Sequence, residues 1–261
     1  MIRDTNDTYS QSLANAFASS VQQLGGTVVQ DALPLSGNSS PPPETVDQFQ
    51  QGAVQMAIRN EVDLIFIAGY DQDAVRLAHA LGNVARLSPW NTYLANLKVL
   101  GGDAVDTGML LGQGTSSDAA IALHFPEDMR RLTFTSFSDI SEWTGKAQQP
   151  TLFKDWGTLY KNMNTPPPPI TNDAIMTNDA FGVIADAIGL VKGPITGQKV
   201  RDALASIGTN GIPVYAGISG QIHFGSDGNA INKAVVVLTI AAADSSGTTN
   251  VVQFKGTAGQ F

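Results

Sequence analysis

The stretch "DLIFIAGYDQDAVRLAHAL", at residues 63–81, limits the possible folds of this chain more than any other part of the sequence. Its first half is a continuous apolar run of the kind found in strands that are buried on both faces. Its second half has helical spacing of apolar residues, and Gly69-Tyr70-Asp71 lie between the two halves. The stretch therefore predicts a strand at 63–68 followed directly by a helix from about residue 72 to residue 81.

The same alternation of strand and helix recurs on both sides of this stretch. Amphipathic helices are predicted at residues 10–24 and 44–60, and short strands at "TVVQ" (27–30), "KVLGG" (98–102) and 132–137. Strands that alternate with helices of this length form parallel sheets covered on both sides. Residues 1–140 are therefore predicted to form a doubly wound α/β lobe with a mainly parallel sheet, of the α/β fold class.

The character of the sequence changes after this lobe. Residues 141–213 contain three amphipathic helices and no convincing strand, whereas residues 214–261 return to apolar strands separated by turns rich in Gly, Asp, Asn and Ser. We therefore assign residues 1–140 and 214–261 to the α/β lobe and residues 141–213 to a helical segment that leaves it. Helices of this kind need a sheet to pack against.

Composition and charge exclude several classes of protein. The net charge of −8 gives no electrostatic basis for binding nucleic acid. The absence of cysteine removes thiolate catalysis, Fe–S clusters and Cys-based zinc sites. The longest apolar runs are too short to span a bilayer, and the first residues have no secretory signal pattern. An acidic chain of this kind suits cationic, zwitterionic or neutral partners.

No motif indicates catalysis or a bound cofactor. "GQGTSS" at residues 112–117 lacks the third glycine of a dinucleotide-binding loop, and the three histidines lack the spacing of metal ligands. "DMRR" at residues 128–131 is expected to be a solvated helix end. The sequence therefore predicts a protein that is not an enzyme and holds no metal and no cofactor.

Five segments, in order, resemble the type I periplasmic substrate-binding proteins, in particular the branched-chain amino-acid and amide group that serves ABC importers. These segments are "DTNDTYSQSLANAFASSVQQLGGTVV", "DLIFIAGYDQDAVRLAHAL", "KVLGGDAVDTG", "TNDAFGVIADAI" and "GISGQIHFGSDGNAINKAVVVLTI". Each segment alone is a weak signal, but five in the right order are fairly specific. The resemblance covers nearly the whole chain and implies the second lobe of a two-lobed protein that closes on an amino acid or amide.

The resemblance also implies which residues contact the ligand. Tyr9, Tyr70 and Asp103 match the family's contacts in the second lobe, with Asp103 as the anchor for the ligand's ammonium group, and Asp71 is a weaker candidate. The family often has glutamate at the position of Asp103, so the ligand is expected to sit deeper or to be bridged by water. Without the family context, Tyr70 would be a half-buried loop tyrosine, Asp103 a turn residue, and Asp71 an acid of the first helical turn.

Most of the family's first lobe has no counterpart here, so the chain is expected to be truncated relative to the family. The helices around Trp156, Phe181, Ile184 and Ile188 would then expose an apolar face, which predicts a homo-oligomer formed through the helical segment. The family further implies a membrane permease as partner and a periplasmic or extracellular location, with a lipid anchor on the full-length form as one option.

Two alternatives to a transport role remain open from the sequence. One is a ligand-sensing receptor or regulatory domain of the same fold, which a DNA-binding or membrane-spanning segment upstream would indicate. The other is an α/β enzyme, which the lack of any nucleophile, base and metal constellation opposes. The exact ligand is not determined by the sequence.

Overall fold

A computed structural model describes residues 1–36, 43–87, 91–105, 107–161, 167, 170–209 and 211–258. The strands are β1 (Ile2–Arg3), β2 (Asp31–Ala32), β3 (Leu64–Ala68), β4 (Lys98–Gly101), β5 (Leu132–Ser136), β6 (Tyr215–Gly217), β7 (Gly220–Ile222), β8 (Val235–Ala242) and β9 (Asn250–Ala258). The helices are α1 (Thr8–Gln23), α2 (Val46–Phe49), α3 (Gln55–Asn60), α4 (Asp71–Leu87), α5 (Asn91–Asn96), α6 (Thr107–Leu110), α7 (Ser117–His124), α8 (Pro126–Met129), α9 (Thr151–Leu159), α10 (Asn172–Leu190) and α11 (Gly197–Ser206). A π-helical turn, Gln50–Val54, joins α2 to α3, and a 3₁₀ turn covers Ile140–Trp143.

The main sheet of the described residues has seven strands in the order β2-β1-β3-β4-β5-β8-β9. The pairs β1–β2, β1–β3, β3–β4 and β4–β5 are all parallel. The parallel part forms because each of β1 to β4 is followed by at least one helix before the next strand, which returns the chain to the starting edge. The predicted α/β class with a mainly parallel sheet is confirmed.

Strand β3 and helix α4 lie where the sequence predicts them, and β3 is an interior strand of this sheet. Four of the five residues of β3 are buried, which explains its uninterrupted apolar sequence. Helix α4 starts at Asp71 and continues to Leu87, six residues beyond the predicted end. On one face of the sheet, α1 packs against Phe66 and Ala68 through Ala14 and its apolar neighbours. The core of the α/β unit thus surrounds the strand that ends at Gly69-Tyr70.

The strand predicted to start at "TVVQ" begins later than expected. Residues 27–30 are not assigned to a strand, and β2 covers only Asp31–Ala32. Its partner β1 is equally short, with Ile2 opposite Asp31 and Arg3 opposite Ala32. Strand β2 is assigned only where β1 lies beside it, because a β-ladder needs a partner strand, although the Val29 carbonyl also accepts the Met1 amino group at 2.7 Å.

The "DMRR" segment is not a solvated helix end, which corrects the expectation from the sequence. Asp128 is 1% exposed and Arg131 is 8% exposed. The Asp128 carboxylate is hydrogen-bonded to both terminal nitrogens of Arg86, at 2.9 and 3.0 Å, and lies 2.8 Å from Nδ1 of His79. The segment is buried because helix α4 packs against it and supplies these partners, which sequence periodicity cannot reveal.

The chain divides into two compact units. The first comprises Met1–Thr135 and Val237–Lys255, and the second comprises Ser136–Val236 and Gly256–Phe261. In the second unit, α10 packs against α11 and against the β6–β7 hairpin. The Asp179 carboxylate on α10 accepts the backbone N–H groups of Ile218 and Ser219, at 2.9 and 2.7 Å. These bonds attach the hairpin to α10. The sequence-based division, with residues 1–140 and 214–261 in the α/β lobe and 141–213 in the helical segment, stays a prediction.

Candidate functional site

The strand order of the first unit creates a point at which side chains from several loops can converge. The order β2-β1-β3-β4-β5 is that of flavodoxin-like sheets, in which the connections leave β1 and β3 in opposite directions. Open parallel sheets of this kind hold ligands in the crevice beyond the carboxyl ends of the strands at that point. Tyr70 and Asp103 lie in the loops after β3 and β4, and Tyr9 and Asp71 lie in the first turns of α1 and α4.

Tyr9 and Asp103 meet beyond the ends of β1 and β4. The Tyr9 hydroxyl donates to Oδ1 of Asp103 at 2.9 Å and accepts the backbone N–H of Ala104 at 3.2 Å. A Cβ atom at position 102 would lie 2.7 Å from the Tyr9 hydroxyl oxygen, so Gly102 lets α1 approach the loop after β4. The tyrosine therefore fixes the position of a half-buried carboxylate.

Tyr70 and Asp7 form a second pair of the same kind beside the first. The Tyr70 hydroxyl donates to Oδ2 of Asp7 at 2.9 Å. Asp7 is also the N-cap of α1, because its Oδ1 accepts the backbone N–H of Tyr9 at 3.0 Å. The Tyr9 and Tyr70 rings are in contact, with their centroids 5.6 Å apart. The four residues, Asp7, Tyr9, Tyr70 and Asp103, are called the tyrosine–aspartate cluster below.

The environment keeps both tyrosines of the cluster in the neutral form. Burial raises the pKa of Tyr9 far above its ordinary value, and the negative charge of Asp103 and the hydrogen bond to it add to this effect. Burial, followed by the hydrogen bond to Asp7, raises the pKa of Tyr70 to about 12. Both hydroxyls therefore remain hydrogen-bond donors at physiological pH.

Asp71 and Asp73 have different roles at the start of α4. Asp71 is the first residue of the helix, and its Oδ1 accepts the backbone N–H of Gln72 at 2.9 Å. Asp73 is fully buried, and it accepts the backbone N–H of Tyr70 at 3.0 Å and the Ser36 hydroxyl at 2.7 Å. Asp73 thus positions the loop that carries Tyr70, whereas Asp71 is an acid of the first helical turn.

The structure brings together three of the four residues predicted to contact a ligand, namely Tyr9, Tyr70 and Asp103. That these three and Asp71 bind a ligand stays a prediction. Sequence reasoning missed Asp7, although it immediately precedes an amphipathic helix, where Asp is a preferred N-cap. The sequence shows Asp7 only as a helix cap. Its second role depends on the fold, which brings the Tyr70 hydroxyl to the other carboxylate oxygen.

Two other features noted in the sequence, "GQGTSS" and His79, have roles in holding the fold together. Ser116, within "GQGTSS", caps α7 by accepting the N–H of Ala119 at 3.1 Å. His79 is buried against Asp128. Across the part of the chain that the structure describes, no group of three or more acidic or histidine residues could hold a metal ion. Among the same residues, no helix is both long enough and apolar enough to cross a membrane.

Known proteins resemble this chain in their three-dimensional structures, whereas comparisons of the sequence found no match. No protein-family model matches the sequence, and no curated protein matches it. The fold is similar to that of LivJ, a branched-chain amino-acid transporter substrate-binding protein from Streptococcus pneumoniae solved with isoleucine, at 17% identity and a TM-score of 0.58. That match covers 97% of this chain and 58% of the LivJ chain.

Two further solved structures match over almost the whole chain. One is a solute-binding protein of an ABC transporter from Rhodopseudomonas palustris with p-hydroxybenzoic acid, at 14% identity and a TM-score of 0.63, covering 99% of this chain and 59% of that one. The other is a leucine-, isoleucine-, valine-, threonine- and alanine-binding protein from Brucella ovis, at 14% identity and a TM-score of 0.65, covering 99% and 56%.

The chain thus spans less than two thirds of the length of each of these proteins. At such low identities the similarity concerns the fold and not the ligand. The sequence resemblance, the strand order and these structural matches agree, and the chain has the type I fold of the substrate-binding proteins of ABC transporters.

Proposed function

We propose that the chain is the solute-binding component of an ABC importer, or the second lobe of one, and that its ligand is a small amino acid or an amide. The tyrosine–aspartate cluster is the observation that supports this proposal. It places two neutral hydroxyls and two carboxylates beyond the carboxyl ends of β1, β3 and β4, where sheets of this order hold ligands.

Asp103 is the proposed anchor for the ligand's ammonium group. An ionised carboxylate has about four lone-pair positions, so Asp103 can accept the Tyr9 hydroxyl and an ammonium group together. Charge-assisted bonds of this kind are about twice as strong as neutral ones. The ring of Tyr70, in contact with that of Tyr9, supplies an apolar wall for the ligand's side chain.

The charge of the cluster favours an amine or a neutral amide over an aromatic acid. Asp7 and Asp103 are both carboxylates, and no basic side chain hydrogen-bonds either of them in the described residues. A ligand that presents an anion to this surface would be repelled, whereas an ammonium group would be attracted. The resemblance noted in the sequence favours branched-chain amino acids within this class.

Calorimetric titration tests the proposal. The chain is titrated with leucine, valine, alanine, a small amide and p-hydroxybenzoate, in parallel with Asp103→Ala and with a control, Asp202→Ala. Asp202 lies on α11 in the second unit, exposed and paired with Arg201. We expect the wild-type chain to bind an amino acid or amide. Asp103→Ala should raise the Kd by about tenfold or more, and Asp202→Ala should leave the Kd unchanged.

Binding that Asp103→Ala leaves unchanged would refute Asp103 as the anchor. Tight binding of p-hydroxybenzoate, with no binding of the amino acids, would refute the ligand class. Because a two-lobed relative contributes contacts from both lobes, the same titration is repeated on a longer chain that contains residues 1–261 when the gene encodes one.

Three further proposals follow from a role in transport. The partner in the membrane is the permease of an ABC importer, the location is periplasmic or extracellular with a lipid anchor on the full-length form, and the chain performs no catalysis. Pull-down of a permease encoded beside the gene, with the Asp103→Ala variant as a folded control, tests the partner. Detectable turnover of an amide ligand would refute a purely binding role.

Association through the helical segment is a separate proposal. Helix α10 exposes Phe181, Ile184 and Ile188, at 72%, 42% and 38%, along one face over about two turns. Exposed apolar faces of this kind usually mark an interaction surface, and we propose that two copies of the chain cover it in a homodimer.

Light scattering combined with size exclusion tests this association. The double variant Phe181→Ser/Ile184→Ser should shift a dimer to a monomer. Leu24→Ser is the matched control, since Leu24 is 89% exposed at the end of α1 in the first unit, and it should leave the mass unchanged. A monomeric wild-type chain at micromolar concentration would contradict the proposal.

A further inference from the structure

The second unit contains a cleft of its own, between helix α11 and the turn that follows β7. Its volume is about 500 Å³, which lies within the range of small-molecule sites, roughly 300–1,000 Å³. Helix α11 lines it with Arg201, Leu204 and Ala205, and the turn lines it with Phe224 and Ser226. We call it the α11 cleft. All of these residues belong to the second unit, so the cleft is separate from the tyrosine–aspartate cluster of the first.

The floor of the α11 cleft is apolar. Leu204 and Phe224 are both half-buried, and both pack against the buried apolar core of the second unit. Arg201, Leu204 and Ala205 are three and four positions apart, so they lie on the same face of α11. An apolar group placed on this floor would lose contact with water on the side of Leu204 and Phe224.

The turn on the other side of the cleft holds its shape by its own hydrogen bonds. The Gly225 N–H donates to the Asn229 carbonyl at 2.8 Å, and the Gly228 N–H donates to the Gly225 carbonyl at 3.0 Å. The Asp227 carboxylate accepts the backbone N–H of Asn229 at 3.0 Å and its side-chain amide at 2.8 Å. The wall is therefore formed without a ligand, and the charge of Asp227 is satisfied within the turn.

The polar groups of the α11 cleft are donors. Among the described residues that line it, Arg201 is the charged one, and its side chain is 71% exposed. Its Nε and Nη2 donate to Oδ1 of Asp202 at 3.2 and 2.8 Å, whereas its Nη1 has no acceptor within the described residues. Such an exposed ion pair is weak, so a ligand can compete for the guanidinium. The Ser226 hydroxyl is likewise unpaired in the part of the chain that the structure describes.

We propose that the α11 cleft is a second ligand site, and that its ligand is a small carboxylic acid with an apolar body, such as an aryl-substituted or branched propanoate. The apolar body lies against Leu204 and Phe224, and the carboxylate accepts hydrogen bonds from the planar guanidinium of Arg201. An amine in the same place would be repelled by Arg201. This inference is independent of the proposed function of the tyrosine–aspartate cluster.

Two-dimensional NMR of the isotope-labelled chain tests the proposal, with phenylpropanoate as the probe. We expect the probe to shift the amide signals of residues that line the cleft, among them Leu204, Thr209, Phe224 and Ser226. Phenylpropanamide is a neutral analogue of nearly the same shape. Its Kd should be higher by about fivefold or more, because it lacks the charge that the guanidinium recognises.

Three variants separate the charge of the cleft from its shape. Arg201→Gln should raise the Kd for phenylpropanoate by about fivefold or more. Lys199→Gln is the matched control, since it removes a positive charge from the same helix, where Lys199 is exposed and donates to the Lys192 carbonyl at 3.1 Å, and it should leave the Kd unchanged. Ala205→Trp fills the cleft from an exposed position on α11 and should abolish the shifts.

Four results would overturn the proposal. Equal Kd values for the acid and the amide, or equal weakening by Arg201→Gln and Lys199→Gln, would show that Arg201 does not select a carboxylate. Shifts at Phe181 and Ile184 in place of the cleft residues would show that the probe lies on the exposed face of α10. The absence of shifts at millimolar probe would show that the cleft does not bind this class of ligand.

Discussion

Replacing Gly82 by alanine should destabilise the first unit, although the same change inside a helix ordinarily stabilises it. Gly82 lies in the middle of α4, where alanine is favoured over glycine by about 1 kcal/mol. However, a Cβ atom on Gly82 would overlap the carboxylate of Asp128, which is 1% exposed. That carboxylate cannot move freely, because it binds Arg86 and His79.

The expected magnitude follows from these two opposing effects. Breaking a buried ion pair costs about 3–5 kcal/mol, and the gain in helix propensity offsets about 1 kcal/mol of it. We therefore expect Gly82→Ala to lower the free energy of unfolding by about 2–4 kcal/mol. Gly52→Ala is the control, because a Cβ atom there has no heavy atom within 4 Å, and it should leave stability unchanged or raise it slightly.

Urea unfolding followed by circular dichroism measures the change, with hydrogen exchange of α4 assigning the transition to the first unit. The decisive comparison is a double-mutant cycle with Asp128→Ala, which removes the carboxylate that conflicts with the new methyl group. In that background Gly82→Ala should stabilise. If it still destabilises, contact with Asp128 is not the cause, and the reasoning is refuted.

Two further predictions concern Tyr70 and Met1. Tyr70→Phe removes the hydroxyl that donates to Asp7. It should lower the free energy of unfolding by about 0.5–1.5 kcal/mol, measured by urea unfolding. An unchanged urea midpoint would mean that water replaces the hydrogen bond at no cost. Burial lowers the pKa of the Met1 amino group from its ordinary 8.0, so the folded chain binds fewer protons than the unfolded chain between the two values. The urea midpoint should therefore rise with pH across that interval, up to about 8.0, and acetylation of the amino group should abolish this rise. A rise that persists after acetylation would assign it to another group.

The candidate site was only partly predictable from the sequence. Tyr70 and Asp103 could be selected because each follows a predicted strand and matches a family segment, and Tyr9 because it matches a family segment. The structure brings the three into contact. Asp7 could not be selected in the same way, because its pairing with Tyr70 joins residues 63 positions apart in the chain. Local patterns identify helix caps, but they do not report which side chain the fold brings to a cap.

The sequence by itself determined the class of the fold and the strand–helix unit of β3 and α4. The unbroken apolar run at residues 64–68 specifies a strand buried on both faces, and the helical spacing that follows specifies α4, because both patterns depend on neighbours along the chain. Tertiary structure alone decided three other features. These are the buried charges around Asp128, the late start of β2, and the pairing of each tyrosine with a particular carboxylate. The physical reason is the same in each case, since burial, ladder length and side-chain pairing depend on a partner that is distant in sequence.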